Sequence, residues 1–215
     1  MISLSAKKAK LCCPCQKGEK VLKQVIAITG TPGVGKTSVS EQLAAKLGAF
    51  HIDLADLVKR ERLSSGYDRR RRTLLADTGK LAKRVQQIIK QSGGDAIIDG
   101  HYATSVVSKR QASRVFVLRC HPQQLKQQME KRGFKGAKLW ENLAAEILDV
   151  CLYDAIKDMG SEKVCEIDMT NKTVDEAVEE IVSILEGDKE CMVGIIDWIG
   201  KLEEENILNQ YLKEF

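Results

Sequence analysis

The feature that most constrains the fold of this chain is a glycine-rich string that joins an apolar run to an amphipathic segment. Residues 30–37 read Gly-Thr-Pro-Gly-Val-Gly-Lys-Thr and match G-x-x-x-x-G-K-[ST] at every defined position. The run Val25–Thr29 is typical of a strand buried on both faces, and apolar residues recur at helical spacing between Lys36 and Leu47. A strand, this string and a helix in that order predict a phosphate-binding loop, or P-loop.

A P-loop binds the phosphates of a nucleotide such as ATP mainly through its backbone. Its glycines let successive N–H groups turn inward without Cβ clashes, and the N-terminus of the next helix adds partial positive charge. Lys36 is predicted to reach the β- and γ-phosphates as a catalytic residue, and the Thr37 hydroxyl to ligate Mg²⁺. The residues of this segment that are predicted to bind ATP are Gly33, Val34, Gly35, Lys36, Thr37 and Ser38.

An acid at the end of a neighbouring strand usually helps a P-loop to hold magnesium. Asp99 ends a short apolar run and is the residue that we predict for this role, although an Asp at a strand end also commonly starts a turn. His101 lies two residues further on, where it either orients a water molecule or an acceptor group, or is simply packed or solvated. His51 and His121 have no such placement and are expected to be simply packed or solvated.

Phosphoryl transfer also needs cations that close over the γ-phosphate and exclude water. Arg132 precedes Gly133 and Phe134 between two predicted helices, and it is predicted to begin a lid and to act as a catalytic, ATP-binding residue. Three further cations lie beside it, namely Lys131, Lys135 and Lys138. The alternative is that these charges are only solvated.

Apolar runs and helical patterns alternate along the chain. Five strands are predicted at Val25–Thr29, Ala49–Ile52, Ala96–Asp99, Val115–Leu118 and Val164–Ile167. Helices are predicted at Lys36–Leu47, Leu54–Leu63, Asp77–Lys90, Pro122–Lys131, Leu139–Lys157 and Val174–Leu185, the last opened by a Thr173-x-x-Glu176 capping box. This alternation indicates an α/β fold with a parallel sheet covered by helices on both faces.

Composition defines the flanking segments. Residues 1–20 predict a flexible basic leader, residues 21–187 the domain, and residues 188–215 a helical extension whose apolar stripe closes the core or packs against a partner. Seven cysteines without a signal peptide favour free thiols in the cytoplasm, unless the source is a hyperthermophile. The leader cysteines Cys12, Cys13 and Cys15 lack the second half of a zinc site. No apolar run approaches the ~20 residues that cross a bilayer, so no membrane partner is expected.

Several strings point to one family of enzymes when they are taken together. They are Thr29–Thr37, Ile52–Leu57, Gly66–Asp68, Ile98–His101 and Arg132–Phe134, followed by Lys138, Leu139, Asn142 and Glu146. In these strings the chain resembles the archaeal and nuclear type of adenylate kinase, known in eukaryotes as adenylate kinase isoenzyme six or the coilin-interacting nuclear ATPase. The resemblance spans roughly residues 24–185.

The resemblance implies the fold of P-loop nucleoside monophosphate kinases, with a five-stranded parallel sheet in the order 2-3-1-4-5. It implies an acceptor-binding segment at residues 53–76, a short lid at residues 131–141, and Lys172 lying along the adenine of ATP. Lys59 stands where an arginine commonly holds the AMP phosphate, and Arg60 or Arg62 could substitute for it. The predicted acceptor-binding residues are Asp56, Lys59 and Arg60.

The implied activities are transfer of the γ-phosphoryl group of Mg·ATP to AMP, and an ATPase that His101 supports. The family also implies a role in maturation of the small ribosomal subunit, with a ribosomal protein and rRNA as partners. We expect the protein to be a monomer. Three hypotheses follow: an adenylate kinase, an assembly ATPase with weak AMP phosphorylation, and a kinase for another small acceptor.

The chain departs from ordinary adenylate kinases at residues that contact the acceptor and the transferring phosphate, and it departs from the nuclear members of its own type at the run Arg69–Arg72, where those members are acidic. The string Asp99-Gly-His-Tyr-Ala103 lacks the arginine that grips AMP in those enzymes. Asn142 and Glu146 replace arginines that contact the transferring phosphate. The run Arg69–Arg72 either binds RNA or phosphate, or forms a solvated loop.

Overall fold

A computed structural model of the chain describes residues 24–69 and 73–212. The predicted leader with its cysteines, and the run Arg69–Arg72 beyond its first residue, lie outside the described residues. The strands are β1 (Val25–Gly30), β2 (Phe50–Asp53), β3 (Ser64–Asp68), β4 (Thr73–Ala76), β5 (Ala96–Asp99), β6 (Arg114–Arg119) and β7 (Val164–Asp168). The helices are α1 (Lys36–Leu47), α2 (Leu54–Arg60), α3 (Thr78–Ser92), α4 (Ala103–Val106), α5 (Pro122–Lys131), α6 (Gly136–Ile147), α7 (Val150–Met159), α8 (Val174–Glu186), α9 (Trp198–Glu204) and α10 (Leu208–Leu212).

Five strands form one parallel sheet in the spatial order β2-β5-β1-β6-β7. Counted along the chain within this sheet, the order is 2-3-1-4-5, which confirms the predicted α/β fold. The register pairs Ile28 of β1 with Asp99 of β5 on one side and with Phe116 of β6 on the other. Because all five strands run in the same direction, their carboxyl ends meet at one edge, where the loop after β1 and the residues after β5 lie together.

The sheet separates two hydrophobic cores, as alternating side chains of a strand point to opposite faces. Ile26, Ile28 and Phe116 pack on one face against helices α1, α5, α6 and α8. Ala27 and Ile98 pack on the other face against helices α2, α3, α4 and α7. Among the described helices, none combines the length and the apolar character that spanning a bilayer requires.

The prediction of one long helix over Leu139–Lys157 is wrong. Helix α6 ends at Ile147 and helix α7 begins at Val150, with Asp149 between them in the left-handed conformation at φ 55°. The Asp149 carboxylate pairs with the guanidinium of Arg119 at the end of β6, which holds the chain in this turn. Asp adopts the left-handed conformation more readily than most residues, but nothing in helical periodicity reveals a distant ionic partner.

A hairpin within the predicted acceptor segment was not foreseen. Strands β3 and β4 pair antiparallel, with Tyr67 opposite Leu74. Both side chains are exposed, and β3 reads Ser-Ser-Gly-Tyr-Asp without alternating apolar residues. The usual signal of a half-buried strand is therefore missing from the sequence.

The expectation of free thiols is wrong for two of the seven cysteines. Cys165 in β7 and Cys191 after α8 form a disulfide, with their Cα atoms 5.1 Å apart. Cys120 and Cys151 are free. The disulfide joins residues 26 positions apart, a spacing that carries no signature of its own. It ties the segment after α8 to the edge of the sheet.

The residues beyond Gly187 pack onto the body of the molecule. Trp198, Leu202 and Tyr211 are buried, and Leu202 and Tyr211 belong to the core on the α1–α8 face. The rings of Tyr211 and Trp140 meet edge to face at 6.2 Å between centroids. This segment is therefore part of the folded unit in the described structure.

Candidate active site

The loop between β1 and α1 has the backbone that the glycine string demands. Gly30, Gly33 and Gly35 have φ values of 137°, 97° and 105°, a region that strains any residue with a Cβ. A Cβ at Gly30 would also lie 2.3 Å from the carbonyl oxygen of Leu118 in β6. The start of the loop is thus packed directly on the neighbouring strand, which fixes its position relative to the sheet.

Lys36, the predicted catalytic lysine, folds back over this loop. Its Nζ atom donates to the carbonyl oxygens of Gly30 at 2.8 Å and Thr31 at 3.0 Å. Removal of the ammonium from water lowers the pKa of Lys36, although the nearby Cys151 and Asp99 act in the opposite direction. The ammonium therefore lies at the carboxyl edge of β1, inside the curve of the loop.

Asp99 lies between two side chains from different elements. Its Oδ2 atom accepts a hydrogen bond from the Thr37 hydroxyl at 2.9 Å, and its Oδ1 atom lies 2.8 Å from Nε2 of His51. The Asp99 residue is only 2% exposed, so these contacts account for both carboxylate oxygens. The hydrogen bond to Asp99 raises the pKa of His51.

The sequence led us to expect that His51 is simply packed or solvated, and this contact was missed. His51 lies on β2, which is next to β5 in the sheet, in register with Ile97 two residues before Asp99. The neighbouring order of these two strands was predicted, so a histidine two residues before the end of β2 was the available signal. This signal predicts that His51 lies close to Asp99, but it does not predict the hydrogen bond between them.

The Thr37 hydroxyl and the Asp99 carboxylate offer the oxygen donors that Mg²⁺ prefers. Within residues 24–69 and 73–212, no group of three or more His, Cys, Asp or Glu side chains is arranged to hold a metal by itself. Thr37 and Asp99 therefore fit a magnesium ion that a nucleotide brings with it, with phosphate oxygens and water as the remaining ligands.

A cavity of about 380 Å³ opens beside this cluster, immediately after β5. Gly100 and His101 form its edge towards Asp99, while Tyr67 and Leu74 of the hairpin form an apolar wall. The two cations in its lining are Lys59 and Lys138. An apolar wall with two ammonium groups suits a ligand with a flat ring and an anionic end.

His101 is open to solvent on one side and stacks on Tyr102, with ring centroids 3.7 Å apart. Desolvation by the pocket, followed by repulsion from Lys36, lowers the pKa of His101 to about 4. Its imidazole is therefore neutral at pH 7 and has a nitrogen free to accept a proton or a hydrogen bond.

The predicted acceptor residues do not all face this cavity. Lys59 lines it, but Arg60 pairs with Asp56 at 3.2 Å. Asp56 and Arg60 line a separate cavity of about 410 Å³ on another face of α2, beside His51. The helix therefore divides these three residues between two cavities.

Two further predicted residues flank the P-loop. Arg132 caps the end of α5 and is exposed, and its charge is close enough to lower the pKa of Lys36. Lys172 follows β7 and pairs with Glu180, while its backbone N–H donates to Met169 at 3.2 Å. Met169 itself lies beside Gly35 of the P-loop. Arg132 therefore lies near the P-loop lysine, whereas Lys172 is connected to the loop only through its backbone bond to Met169, and its ammonium is paired with Glu180.

Glu146 of α6 is buried and joins several parts of the molecule. Its carboxylate accepts hydrogen bonds from the Thr31 hydroxyl at 2.5 Å, Arg119 Nε at 2.8 Å and Trp198 Nε1 at 2.9 Å. Arg119 also binds Glu166 at 2.7 Å. The sequence singled out Glu146 only through the family resemblance, since no local pattern places these partners together.

Similarity to known proteins agrees with this geometry. The sequence model of the AAA domain family matches residues 26–149. A protein of Methanocaldococcus jannaschii named "putative adenylate kinase" is 40% identical over 176 residues, which cover 82% of this chain and 93% of the relative. A Pyrococcus furiosus protein of the same name is 36% identical over 180 residues, covering 84% and 94%. The chain belongs to this adenylate kinase family.

Among solved structures, shikimate kinase from Bacteroides thetaiotaomicron superimposes with a TM-score of 0.50 at 14% identity, covering 76% of this chain and 98% of that one. Such a likeness shows the P-loop kinase fold alone. The archaeal relatives confirm the resemblance to adenylate kinases, and membership of their family makes the chain a nucleotide kinase.

One departure from ordinary adenylate kinases now has a physical explanation. The resemblance predicts that Glu146 takes the place of an arginine that contacts the transferring phosphate, and here the residue is 1% exposed and bound to Thr31 and Arg119. In this adenylate kinase family member the Glu146 carboxylate therefore contacts the P-loop at Thr31, and this hydrogen bond helps to fix the conformation of the loop.

Proposed function

We propose that the protein transfers the γ-phosphoryl group of Mg·ATP to AMP, forming two molecules of ADP. The observation that carries the proposal is the direct junction of two sites. The cluster of Lys36, Thr37 and Asp99 ends where the cavity edged by Gly100 and His101 begins. A phosphate donor and a nucleotide acceptor that occupied these two sites would meet at this edge.

In the proposed reaction the protein supplies positioning and charge. The P-loop backbone and Lys36 hold the β- and γ-phosphates of ATP, and Arg132 adds positive charge as the γ-phosphoryl group moves. Bound magnesium, held by Thr37 and Asp99, would neutralise charge on the same phosphates. Lys59 and Lys138 would hold the AMP phosphate, and Tyr67 would contact its base.

The test is an assay of ADP formation from Mg·ATP with AMP, with CMP, with GMP, and with no acceptor. We expect ADP formation to depend on AMP, and Lys59→Ala to raise the KM for AMP about tenfold while the KM for ATP stays constant, because Lys59 lines only the acceptor cavity. Lys83→Ala, an exposed lysine on α3, is the matched control. Equal ADP formation with and without AMP would contradict the proposal.

A second candidate is an ATPase that acts on a ribosomal protein or rRNA and phosphorylates AMP weakly. Two observations favour it: the described residues that line the acceptor cavity include no arginine, and His101 stands at its edge with a neutral imidazole. Lysine lacks the planar fork that binds a phosphate at two points. ATP hydrolysis without AMP, stimulated by a small-subunit ribosomal protein and reduced by His101→Ala, would support this candidate over the first.

A further inference from the structure

The segment beyond α8 is connected to the P-loop through the carboxylate of Glu146. The indole Nε1–H of Trp198, the first residue of α9, donates to Oε1 of Glu146 at 2.9 Å. The other oxygen of the same carboxylate accepts from the Thr31 hydroxyl at 2.5 Å. Thr31 is the second residue of the glycine string, and its carbonyl oxygen accepts from Lys36 Nζ at 3.0 Å. One unbroken path of hydrogen bonds therefore connects Trp198 to the P-loop lysine.

Burial makes this path sensitive to each of its donors. Glu146 and Thr31 are at most 1% exposed, and Trp198 is 2% exposed, so water cannot replace a lost hydrogen bond. Without the indole, Oε1 of Glu146 keeps only its donors from the end of β6, Arg119 Nε at 2.8 Å and the Cys120 N–H at 3.1 Å, so the carboxylate is drawn towards that strand. Thr31 Oγ1 is the donor on its other oxygen, and so a shift of Glu146 moves the loop residue that holds Lys36.

The segment that carries Trp198 is firmly held at its start. The Cys165–Cys191 disulfide ties it to β7, and Glu166 of β7 accepts hydrogen bonds from the backbone N–H groups of Gly194 and Ile195. Arg119 binds Glu166 with one nitrogen and Glu146 with another. Glu166, which holds the start of the segment, and Glu146, which contacts the P-loop, therefore belong to one ion-pair network that is joined by Arg119.

We infer that Trp198 is a positioning residue for the P-loop: the segment 191–198 braces the phosphate-binding loop through Glu146, and the affinity for ATP depends on this brace. The inference rests on the proposed function, since it treats the P-loop as an ATP site. Trp198 touches no substrate in this account. It acts by fixing Glu146, which fixes Thr31 and the carbonyl oxygen that orients Lys36.

The experiment is a double-mutant cycle on the full chain, with ATP affinity measured by isothermal titration calorimetry. Trp198→Phe keeps an aromatic ring and removes the indole donor. Thr31→Val removes the hydroxyl through which the loop contacts Glu146. We expect Trp198→Phe to weaken ATP binding about tenfold in the wild-type background and less than twofold in the Thr31→Val background, because the two residues act through one carboxylate.

The matched control is Tyr211→Phe, which removes a hydroxyl from a buried residue of the same extension that is not among the hydrogen-bond partners described for the Glu146 carboxylate. We expect it to bind ATP like the wild type. An unchanged affinity in Trp198→Phe overturns the inference. So does a tenfold loss that persists in the Thr31→Val background, because that result marks a general loss of structure. A wild-type protein that binds no ATP overturns the proposed function itself, which is a different result.

A second measurement keeps both Trp198 and Glu146, so it tests the inference even if Trp198→Phe does not fold. The chain has two tryptophans, so Trp140→Phe leaves the indole N–H signal of Trp198 alone in a proton–nitrogen correlation spectrum. We expect this signal to shift when a non-hydrolysable ATP analogue is added, because the loop and the indole share Glu146. A signal that stays in place at saturating analogue overturns the inference.

Discussion

The two halves of the candidate site differ in how firmly the protein holds them. In the donor half, Asp99 is 2% exposed and has partners on both oxygens, and Lys36 is bound to two loop carbonyls. In the acceptor half, Tyr67 and Leu74 are 55% and 42% exposed and stand on a two-stranded hairpin outside the main sheet. The donor half is part of the core, whereas the acceptor half is attached to its surface.

This difference predicts which half of the site is already ordered for its ligand and which half is ordered when its ligand binds. A site built from buried, hydrogen-bonded groups is already in its binding geometry, so little ordering is needed when a ligand binds. A site formed by an exposed hairpin needs to be ordered by its ligand, because few buried contacts restrain it. We therefore expect changes in the donor half to affect every nucleotide-dependent activity, and changes in the acceptor half to affect one substrate.

The largest effect is expected from Lys36→Ala. Loss of the ammonium from the P-loop should reduce ADP formation about 10³-fold with any acceptor, because its charge acts on the phosphates that react. Lys46→Ala is the matched control, since Lys46 lies on the same helix and pairs with Glu179 on α8. If Lys36→Ala turned over at the wild-type rate, the P-loop would have no part in the reaction.

Cys191→Ser is expected to have a large effect on stability and none on acceptor recognition. The disulfide joins residues 26 positions apart, so its loss should lower the free energy of unfolding by about 3.5 kcal/mol in the chain-entropy treatment. Urea unfolding of the wild type and the variant, each with and without a dithiol reductant, measures the change. The reductant should destabilise only the wild type. A change in the KM for AMP in this variant would contradict the expectation, because it would show that the disulfide also affects the acceptor half.

His51→Leu tests whether the donor half depends on a residue outside the glycine string. Loss of the Nε2 contact with Asp99 should raise the Mg²⁺ concentration for half-maximal activity about tenfold, the usual effect of removing a group that orients a metal ligand. His51→Gln keeps an N–H donor and should restore most of the wild-type requirement. Equal behaviour of the two variants would assign His51 to packing, as its sequence context suggested.

The smallest effect is expected from Tyr67→Ala in the acceptor half. Loss of one exposed aromatic wall should raise the KM for AMP about fivefold, because a ring that contacts a base contributes on the order of 1 kcal/mol. The KM for ATP should not change. A parallel rise in both KM values would mean that the hairpin also shapes the donor half.

Much of the donor half could be predicted from the sequence because its determinants are local. The strand, the glycine string and the helix are contiguous, and Asp99 ends an apolar run that is visible on its own. The Thr173–Glu176 capping box at the start of α8 is likewise a short-range pattern, and the structure confirms it. In each case one stretch of chain contains both the signal and the residues that satisfy it.

The remaining features depend on partners that are distant in the sequence. The break between α6 and α7 follows from the pairing of Asp149 with Arg119, which lies in β6. The Cys165–Cys191 disulfide joins β7 to a loop, and β3 pairs with β4 without an apolar pattern to mark either strand. Periodicity describes which face of an element is buried, but it does not identify the residue on the other side of the contact.

The contact between Trp198 and Glu146 has a consequence for the order in which the molecule is completed during synthesis. The P-loop is translated early, and Trp198 is added on the order of ten to thirty seconds later at ordinary rates of elongation. Until then Glu146 has one donor fewer than in the finished protein. A ribosome-bound chain that stopped before Trp198 would contain every residue of the glycine string and still lack the indole that completes its support, so tight nucleotide binding would coincide with the arrival of the last helices.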